Sequence, residues 1–124
     1  MKRVLIIEDE TIISFGYRLQ LERMGLDVVG VARSSEEAKQ LLAVHRPDLI
    51  IMDIYLKGER SGLDIAESIL ARSPVPIVFL TASTDPAKLE RIRSMPGCHY
   101  LSKPVTSESL TDVLQRALHA HGKH

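Results

Sequence analysis

The sequence has little of several features that mark particular classes of protein. Its 124 residues contain no tryptophan and a single cysteine, Cys98. One cysteine cannot form an internal disulfide, which excludes a disulfide-stapled secreted domain. No apolar run approaches the roughly 18 residues of a membrane span, and the first run, Val4–Ile7, is too short for a signal peptide. We therefore expect a cytoplasmic protein with no membrane partner.

The chain also lacks a net charge and a phosphate-binding loop of the common type. Lysine and arginine together number 16, as do aspartate and glutamate, so the chain has no overall attraction for the phosphate backbone of nucleic acid. The pattern G-x-x-x-x-G-K-[ST] does not occur, which excludes a nucleotide-binding P-loop. Direct nucleic acid binding is not expected.

What the chain does contain is a series of short apolar runs rich in β-branched residues. They are continuous rather than alternating, which is typical of strands buried on both faces of a parallel sheet. The runs are Val4–Ile7, Val28–Val31, Leu49–Met52, Ile77–Leu80 and, more weakly, Cys98–Leu101. The length of the chain is that of one ordinary domain, so we expect one core.

Helical signals occupy the segments between these runs. Ser34 and Glu37 have the spacing of a capping box. Asp85 supplies a cap for a later helix, and Pro86 stands in its first turn. After Thr106 the apolar residues recur at i, i+3, i+4, i+7 and i+8, which predicts an amphipathic last helix.

Together these signals predict five βα units. A strand, a crossover helix and a parallel strand, repeated, give an α/β fold with a five-stranded, doubly wound parallel sheet and helices on both faces. We expect one domain over residues 1–124, with a frayed tail over residues 118–124.

Polar residues follow four of the predicted strands at the end where each strand finishes. Glu8 and Asp9 follow the first, Asp53 the third, Thr81 the fourth and Lys103 the fifth. Singly, each has a structural explanation, such as a solvated acidic turn or a surface charge. In an open parallel sheet, however, the carboxyl ends of the strands meet at one edge, where binding sites form. The shared position of all five residues favours function.

The chemistry of this set follows from charge. Glu8, Asp9 and Asp53 would repel one another unless a cation relieves them. Carboxylate oxygens without a nearby histidine or cysteine favour Mg²⁺, which retains waters and shares its shell with phosphate oxygens. Lys103 offers a second positive charge and Thr81 a hydroxyl donor. Asp53 is then available as a nucleophile that forms an aspartyl phosphate.

Four short motifs occur along the chain in a fixed order: "LIIEDE", "IIMDIYLKGERSG", "IVFLTAS" and "YLSKP". Thr81 follows Asp53 by 28 residues, and Lys103 follows Thr81 by 22. In this order and spacing the motifs resemble the receiver domain of two-component response regulators over essentially the whole chain. The resemblance implies a three-layer fold with strand order 2-1-3-4-5. The loop after Asp53 departs from the commonest family pattern because it lacks a proline and an Asp-Gly pair.

The resemblance also implies a role for each site residue. Asp53 would accept phosphate, and Mg²⁺ would be held by Asp53, Glu8, Asp9 and the backbone carbonyl of Tyr55. Lys103 would pair with the phosphoryl group, and its bond to the following proline is at a position that is often cis in the family.

The switch and the partners are implied in the same way. Thr81 would move to the new phosphoryl group, and Tyr100 would swing inward. The phosphodonor would be a sensor histidine kinase or a histidine phosphotransfer protein. The signal would pass, through the face that includes Arg91 and Arg93, to an output domain, an effector protein or a second copy in a phosphorylation-dependent homodimer.

Three other readings remain open at this point. A receiver-like interaction module would keep the fold without being phosphorylated, although retention of all the site residues argues against it. A phosphohydrolase that turns over an aspartyl phosphate would need a segment to cover its substrate. A flavodoxin-type electron carrier would need aromatic residues around its flavin, and the acids Glu8, Asp9 and Glu10 would repel the cofactor's phosphate.

Overall fold

Five parallel strands form the centre of the structure, a computed structural model that describes residues 2–54, 61–82 and 85–121. Each strand agrees with its predicted run to within one residue at either end. The strands are β1 (Arg3–Ile7), β2 (Asp27–Ala32), β3 (Leu49–Asp53), β4 (Ile77–Thr81) and β5 (Cys98–Ser102). They lie in the order β2-β1-β3-β4-β5, and all four pairings are parallel. The predicted fold class and strand order are confirmed.

A helix follows each strand. The helices are α1 (Thr11–Arg23), α2 (Ser35–Val44), α3 (Gly62–Arg72), α4 (Pro86–Ser94) and α5 (Ser107–His121). The predicted caps are present: Ser34 Oγ accepts from Glu37 N at 3.2 Å, and Asp85 Oδ1 accepts from Ala87 N at 3.0 Å. Each bond satisfies a backbone donor that the first turn of a helix leaves without a partner.

The helices cover both faces of the sheet. One cluster of buried residues joins the sheet to α2, α3 and α4 through Ala38, Ile65 and Ile92. A second cluster joins the opposite face to α1 and α5 through Leu21 and Leu114. The fold therefore has three layers, as the resemblance implied.

Strand β1 shows why the apolar runs are continuous. Leu5 and Ile7 belong to the first cluster, whereas Val4 and Ile6 belong to the second. All four side chains are fully buried. Because neighbouring side chains on a strand point to opposite faces, a strand covered on both faces needs apolar residues at every position.

The C-terminal helix is longer than expected. The sequence analysis predicted a frayed tail over residues 118–124, but α5 continues to His121. Leu118 packs against the second cluster, and this contact holds the last turns on the sheet. Residues 122–124 lie outside the described part of the chain. None of the helices in the described part has the length and the apolar content that a membrane crossing requires.

Helix α3 begins against the end of β3, at a position where a glycine is required. Gly62 N donates to Ile54 O at 2.8 Å. A Cβ atom on residue 62 would lie 3.0 Å from the Cα of Ile54 and still closer to the carbonyl oxygen of Asp53. Neither atom can move without displacing the backbone, so a larger residue would shift either α3 or the end of β3.

We expect the substitution Gly62→Ala to lower the free energy of unfolding by about 1–3 kcal/mol, because it overpacks a backbone contact. Gly16→Ala is the matched control: Gly16 lies within α1, and an added Cβ would have no neighbour within 4 Å. There the same change should stabilise by about 0.5–1 kcal/mol, since alanine favours a helix over glycine. Urea unfolding measures both values, and equal effects of the two substitutions would contradict this account.

Candidate functional site

The register of the sheet brings the predicted site residues to one edge. Ile7 pairs with Met52, and Asp53 pairs with Leu80. The residues that follow these positions, including Glu8, therefore emerge side by side at the carboxyl edge. The end of β5 is fixed in the same way, because the backbone N–H that follows it donates to the carbonyl oxygen of Thr81 at 2.8 Å.

Lys103 and Asp53 form the central contact of this edge. Lys103 Nζ donates to Asp53 Oδ2 at 3.0 Å, and the two side chains are 28% and 11% exposed. Burial alone would lower the pKa of Lys103, but the hydrogen bond and the charge of Asp53 outweigh it and raise the pKa. The pair therefore holds a negative and a positive charge in a partly dehydrated position.

Glu8 is a buried carboxylate beside this pair. Its side chain is only 2% exposed, and its Oε2 atom has no hydrogen-bond partner among the described residues. Burial, and next the charge of Asp53, raise the pKa of Glu8 from 4.5 to about 7. A buried carboxylate oxygen without a partner is costly, so this position favours a cation that would neutralise it.

Asp9 and Glu10 add further negative charge near Glu8, and the charge of each raises the pKa of Glu8. Within the described ranges no three histidine, cysteine, aspartate or glutamate side chains form a group that could hold a metal by themselves. Mg²⁺ does not require such a cage, since it commonly binds one or two carboxylates and keeps several waters. The orphaned oxygen of Glu8 and the all-carboxylate donor set fit this ion.

Thr81 and Tyr100 lie on the same face of the sheet, which α4 covers. Phe79 of β4 pairs with Tyr100 of β5, so their side chains lie on the same face of the sheet. Thr81 is two residues after Phe79 on β4, so the side chain of Thr81 points to that face as well. Thr81 is fully buried, whereas the Tyr100 ring is half-buried against the first core cluster. The two residues that the sequence predicts to form the switch thus lie on neighbouring strands and on one face of the sheet.

The Tyr100 hydroxyl is bound at the surface by α4. Arg93 Nη2 donates to Tyr100 Oη at 2.9 Å, and the Arg93 guanidinium lies 5.6 Å from the centre of the ring. This combination of a hydrogen bond and a cation–π contact holds the ring in its present position.

Sequence reasoning missed Tyr17 beside the site, and it named Arg91 only as part of an exposed face, without its ion pairs. Tyr17 on α1 lies close enough that Lys103, Glu8 and Asp53 all influence its pKa, which burial raises. Arg91 on α4 ties that helix to α3 through ion pairs with Asp64 at 2.7 Å and with Glu67. Tyr17 belongs to no strand end or motif, and the ion pairs of Arg91 join residues that are far apart in the sequence, so neither feature has a local signal.

The backbone carbonyl of Tyr55, predicted as a metal ligand, lies outside the described residues. The same is true of the other residues in the range 55–60, between β3 and α3. The role of the Tyr55 carbonyl as a metal ligand therefore stays a prediction.

Comparison with known proteins gives consistent matches. A family model described as "Response regulator receiver domain" matches residues 4–115. The transcriptional regulatory protein PdtaR from Mycobacterium tuberculosis is 37% identical over 117 residues, which cover 94% of this chain and 57% of PdtaR. These curated relatives match this chain over almost its whole length, and the chain spans about half of theirs.

Solved structures match equally well. The signal receiver domain of a modulated diguanylate cyclase from Desulfovibrio desulfuricans has a TM-score of 0.85 and 36% identity, covering 97% of this chain and 95% of that one. The anti-anti-sigma factor PhyR from Bartonella quintana has a TM-score of 0.84 and 31% identity, covering 98% of this chain and 49% of that one.

The raised pKa of Glu8 predicts how stability depends on pH when no divalent cation is present. Because folding raises this pKa, the folded state holds the proton more tightly than the unfolded state does. The resulting stabilisation is fully present below pH 4.5 and is lost as the pH rises through about 7. Glu8→Gln keeps the shape without titrating, so at pH 8 it should be more stable than the parent by on the order of 2 kcal/mol.

Urea unfolding in a chelator at several pH values measures this difference. Glu36→Gln, at an exposed position in the first turn of α2, is the matched control and should follow the parent. Added Mg²⁺ should stabilise the parent at pH 8 more than it stabilises Glu8→Gln. A pH profile that is the same for Glu8→Gln and the parent would show that Glu8 is not strained by its burial.

Proposed function

The chain belongs to the response regulator receiver domain family, and on that premise we propose that Asp53 accepts a phosphoryl group and that the domain switches conformation in response. A receiver is a signalling domain rather than a conventional enzyme. The observation that carries the proposal is the contact of Lys103 Nζ with Asp53 Oδ2 at 3.0 Å, beside the buried and unpartnered carboxylate of Glu8.

The proposed transfer uses Asp53 as a nucleophile. One of its carboxylate oxygens forms a bond to phosphorus while the bond from phosphorus to the donor's imidazole nitrogen breaks, and that nitrogen keeps the electron pair. Lys103 already holds the carboxylate, and its ammonium remains within reach of the new negative oxygens. It would therefore stabilise both the nucleophile before transfer and the charge after it.

Glu8 and Asp9 are the residues that would hold Mg²⁺, together with Asp53 itself and the carbonyl of Tyr55. When bound, the ion would supply charge neutralisation for the oxygens of the transferring group. The protein's own contribution is to keep these acids at one edge even though they repel one another. The pKa of Glu8, which burial and next the charge of Asp53 raise, supports this assignment, because a cation bound beside this carboxylate would favour its ionised form.

The proposed switch links Thr81 to Tyr100. The Thr81 hydroxyl would turn toward the phosphoryl group and donate to it, which would vacate space on the face that it shares with Tyr100. The ring would then move inward and release Arg93 on α4. The hydrogen bond from Arg93 and the position of its guanidinium over the ring support a resting state in which Tyr100 is held at the surface.

The proposed phosphodonor is a histidine kinase or a histidine phosphotransfer protein. Helix α1 begins directly beside Glu8 and Asp9 and exposes three large apolar residues on one side. Their exposed fractions are 87% for Ile12, 60% for Phe15 and 38% for Leu19. Their spacing of i, i+3 and i+7 forms a stripe suited to an apolar partner helix. We expect the donor to dock there, so that its phosphohistidine reaches Asp53.

The output side of the proposal concerns α4 and β5. Because the chain spans about half the length of its curated relatives, we propose that the signal passes to an output domain, an effector protein or a second copy of this chain. The cytoplasmic location expected from the sequence stays a prediction.

The central prediction is that the chain gains the mass of one phosphoryl group on incubation with acetyl phosphate and Mg²⁺, and that Asp53→Asn gains none. Intact-mass spectrometry measures both. The matched control is Asp27→Asn, because Asp27 is exposed at the start of β2, at the opposite edge of the sheet; it should be labelled like the parent. Labelling that persists in Asp53→Asn would refute the assignment.

The same assay separates two of the other readings. A chain that stays unlabelled would be a receiver-like interaction module, and continuous release of phosphate without accumulation of label would indicate a phosphohydrolase. With a histidine-phosphorylated donor domain in place of acetyl phosphate, Phe15→Ser should slow labelling. Equal rates for Phe15→Ser and the parent would remove the α1 stripe as the donor's docking surface.

Arg93→Ala tests the proposed resting state. Removing the hydrogen bond and the cation–π contact should lower the free energy needed to move the Tyr100 ring inward by about 0.5–1 kcal/mol. Beryllofluoride, a phosphoryl mimic, should therefore bind about two- to fivefold more tightly. Tyr100 ring resonances in NMR spectra should also shift toward those of the mimic-bound state.

The matched control is Arg116→Ala, which removes an exposed arginine on α5 that pairs with Asp112 and should leave the affinity unchanged. If Arg93→Ala binds beryllofluoride like the parent, Arg93 does not hold Tyr100 in the resting state.

A further inference from the structure

A groove lies between α2 and α3, away from the phosphoacceptor edge. It has a volume of about 760 Å³, which is within the range of about 300–1,000 Å³ that small-molecule sites occupy. Its lining includes Pro47 and Val75, which precede β3 and β4 in the chain. The groove therefore opens at the amino edge of the sheet, whereas Asp53 stands at the carboxyl edge.

The floor of the groove is apolar. It is built by Ala38 and Leu42 of α2, by Ile65 and Ile69 of α3 and by Val75. Four of these side chains are buried members of the first core cluster, and Leu42 packs against that cluster. The floor is thus continuous with the core, and an apolar body could rest on it.

The rim of the groove carries positive charge only. Lys39, Arg46 and Arg72 line it, and the described lining residues include no aspartate or glutamate. None of the three cations forms an ion pair with another described residue. Because the whole chain has a net charge of zero, this is a local concentration of charge and not a reflection of overall composition.

We propose that this groove binds a small amphiphilic anion, which is a molecule with an aromatic or acyl body and a carboxylate, sulfonate or phosphate group. The apolar floor would take the body, and the cationic rim would take the charged group. The volume of about 760 Å³ and the short flanking helices, of 10 and 11 residues, suit a small molecule better than a protein partner. The proposal does not depend on the phosphorylation of Asp53.

The test uses two probes that differ only in charge. Anilinonaphthalene sulfonate carries one sulfonate, and N-phenyl-1-naphthylamine has the same aromatic body without it. Titration of each probe into the ¹⁵N-labelled chain, followed by fluorescence and by amide chemical shifts, should show that the sulfonate binds more tightly. The shifts should lie on α2 and α3, and added salt should weaken only the charged probe.

Lys39→Glu is the decisive variant, because Lys39 lies within α2, away from the helix ends where a cation also stabilises the helix dipole. It should weaken the sulfonate about three- to tenfold, since it replaces an attraction by a repulsion, and it should leave the neutral probe unchanged. Gln40→Glu is the matched control: Gln40 is the next residue, is exposed, and does not line the groove. Both variants should melt like the parent and accept phosphate from acetyl phosphate.

Five results would overturn the proposal. Shifts centred on Ile12 and Phe15 would place the probe on the α1 stripe. Equal affinities for the two probes, or equal effects of the two variants, would show that the cationic rim does not bind the charged group. Shifts on α2 and α3 that appear on raising the protein concentration alone would show that a second copy of the chain occupies the groove. Shifts produced by an acidic peptide but not by the sulfonate would show that a protein segment binds there.

Discussion

The attraction between Lys103 and Asp53 is the interaction on which the arrangement of the carboxyl edge depends. Acids from two strands meet there, and the pKa of Glu8 is raised first by burial and next by the charge of Asp53. The contact at 3.0 Å gives Asp53 a cationic partner, whereas Glu8 Oε2 has no hydrogen-bond partner among the described residues. The edge thus places a paired acid beside a buried carboxylate oxygen without a partner, and the Mg²⁺ proposed above would relieve the second.

The sheet makes this balance possible because it fixes the acids and the lysine through backbone bonds rather than through the charges themselves. The N–H of Glu8 donates to Ala32 O at 2.9 Å, and the N–H of Lys103 donates to Thr81 O at 2.8 Å. The strands are held in turn by cores on both faces. Burial of apolar surface thus supplies the free energy that keeps like charges together, and the site can be electrostatically unfavourable without unfolding.

The fold and the convergence of Glu8, Asp53 and Lys103 at one edge could be predicted because their causes are local in the sequence. Burial on both faces leaves continuous apolar runs, and a strand end followed by an acid identifies the edge. Helix α1 was harder to delimit, because Ile12 and Phe15 face solvent and Glu10 provides no side-chain cap. The contacts of Arg93 with Tyr100 and the α2–α3 groove could not be predicted at all, since they depend on rotamers and on the spacing between helices, which only tertiary packing decides.

Helix α3 connects the two edges of the sheet physically. Its first residue, Gly62, packs against the backbone of Asp53 and Ile54, and its last, Arg72, lines the groove at the opposite edge. Arg91 also ties α3 to α4, the helix that holds Tyr100. A ligand in the groove would influence Asp53 only if α3 could adopt two positions relative to the sheet and the ligand bound more tightly to one of them. Phosphorylation of Asp53 would then change the affinity of the groove for the ligand by the same factor. The close contact at Gly62 leaves α3 little freedom to shift without moving Asp53, so any such coupling would be transmitted through the backbone at the end of β3.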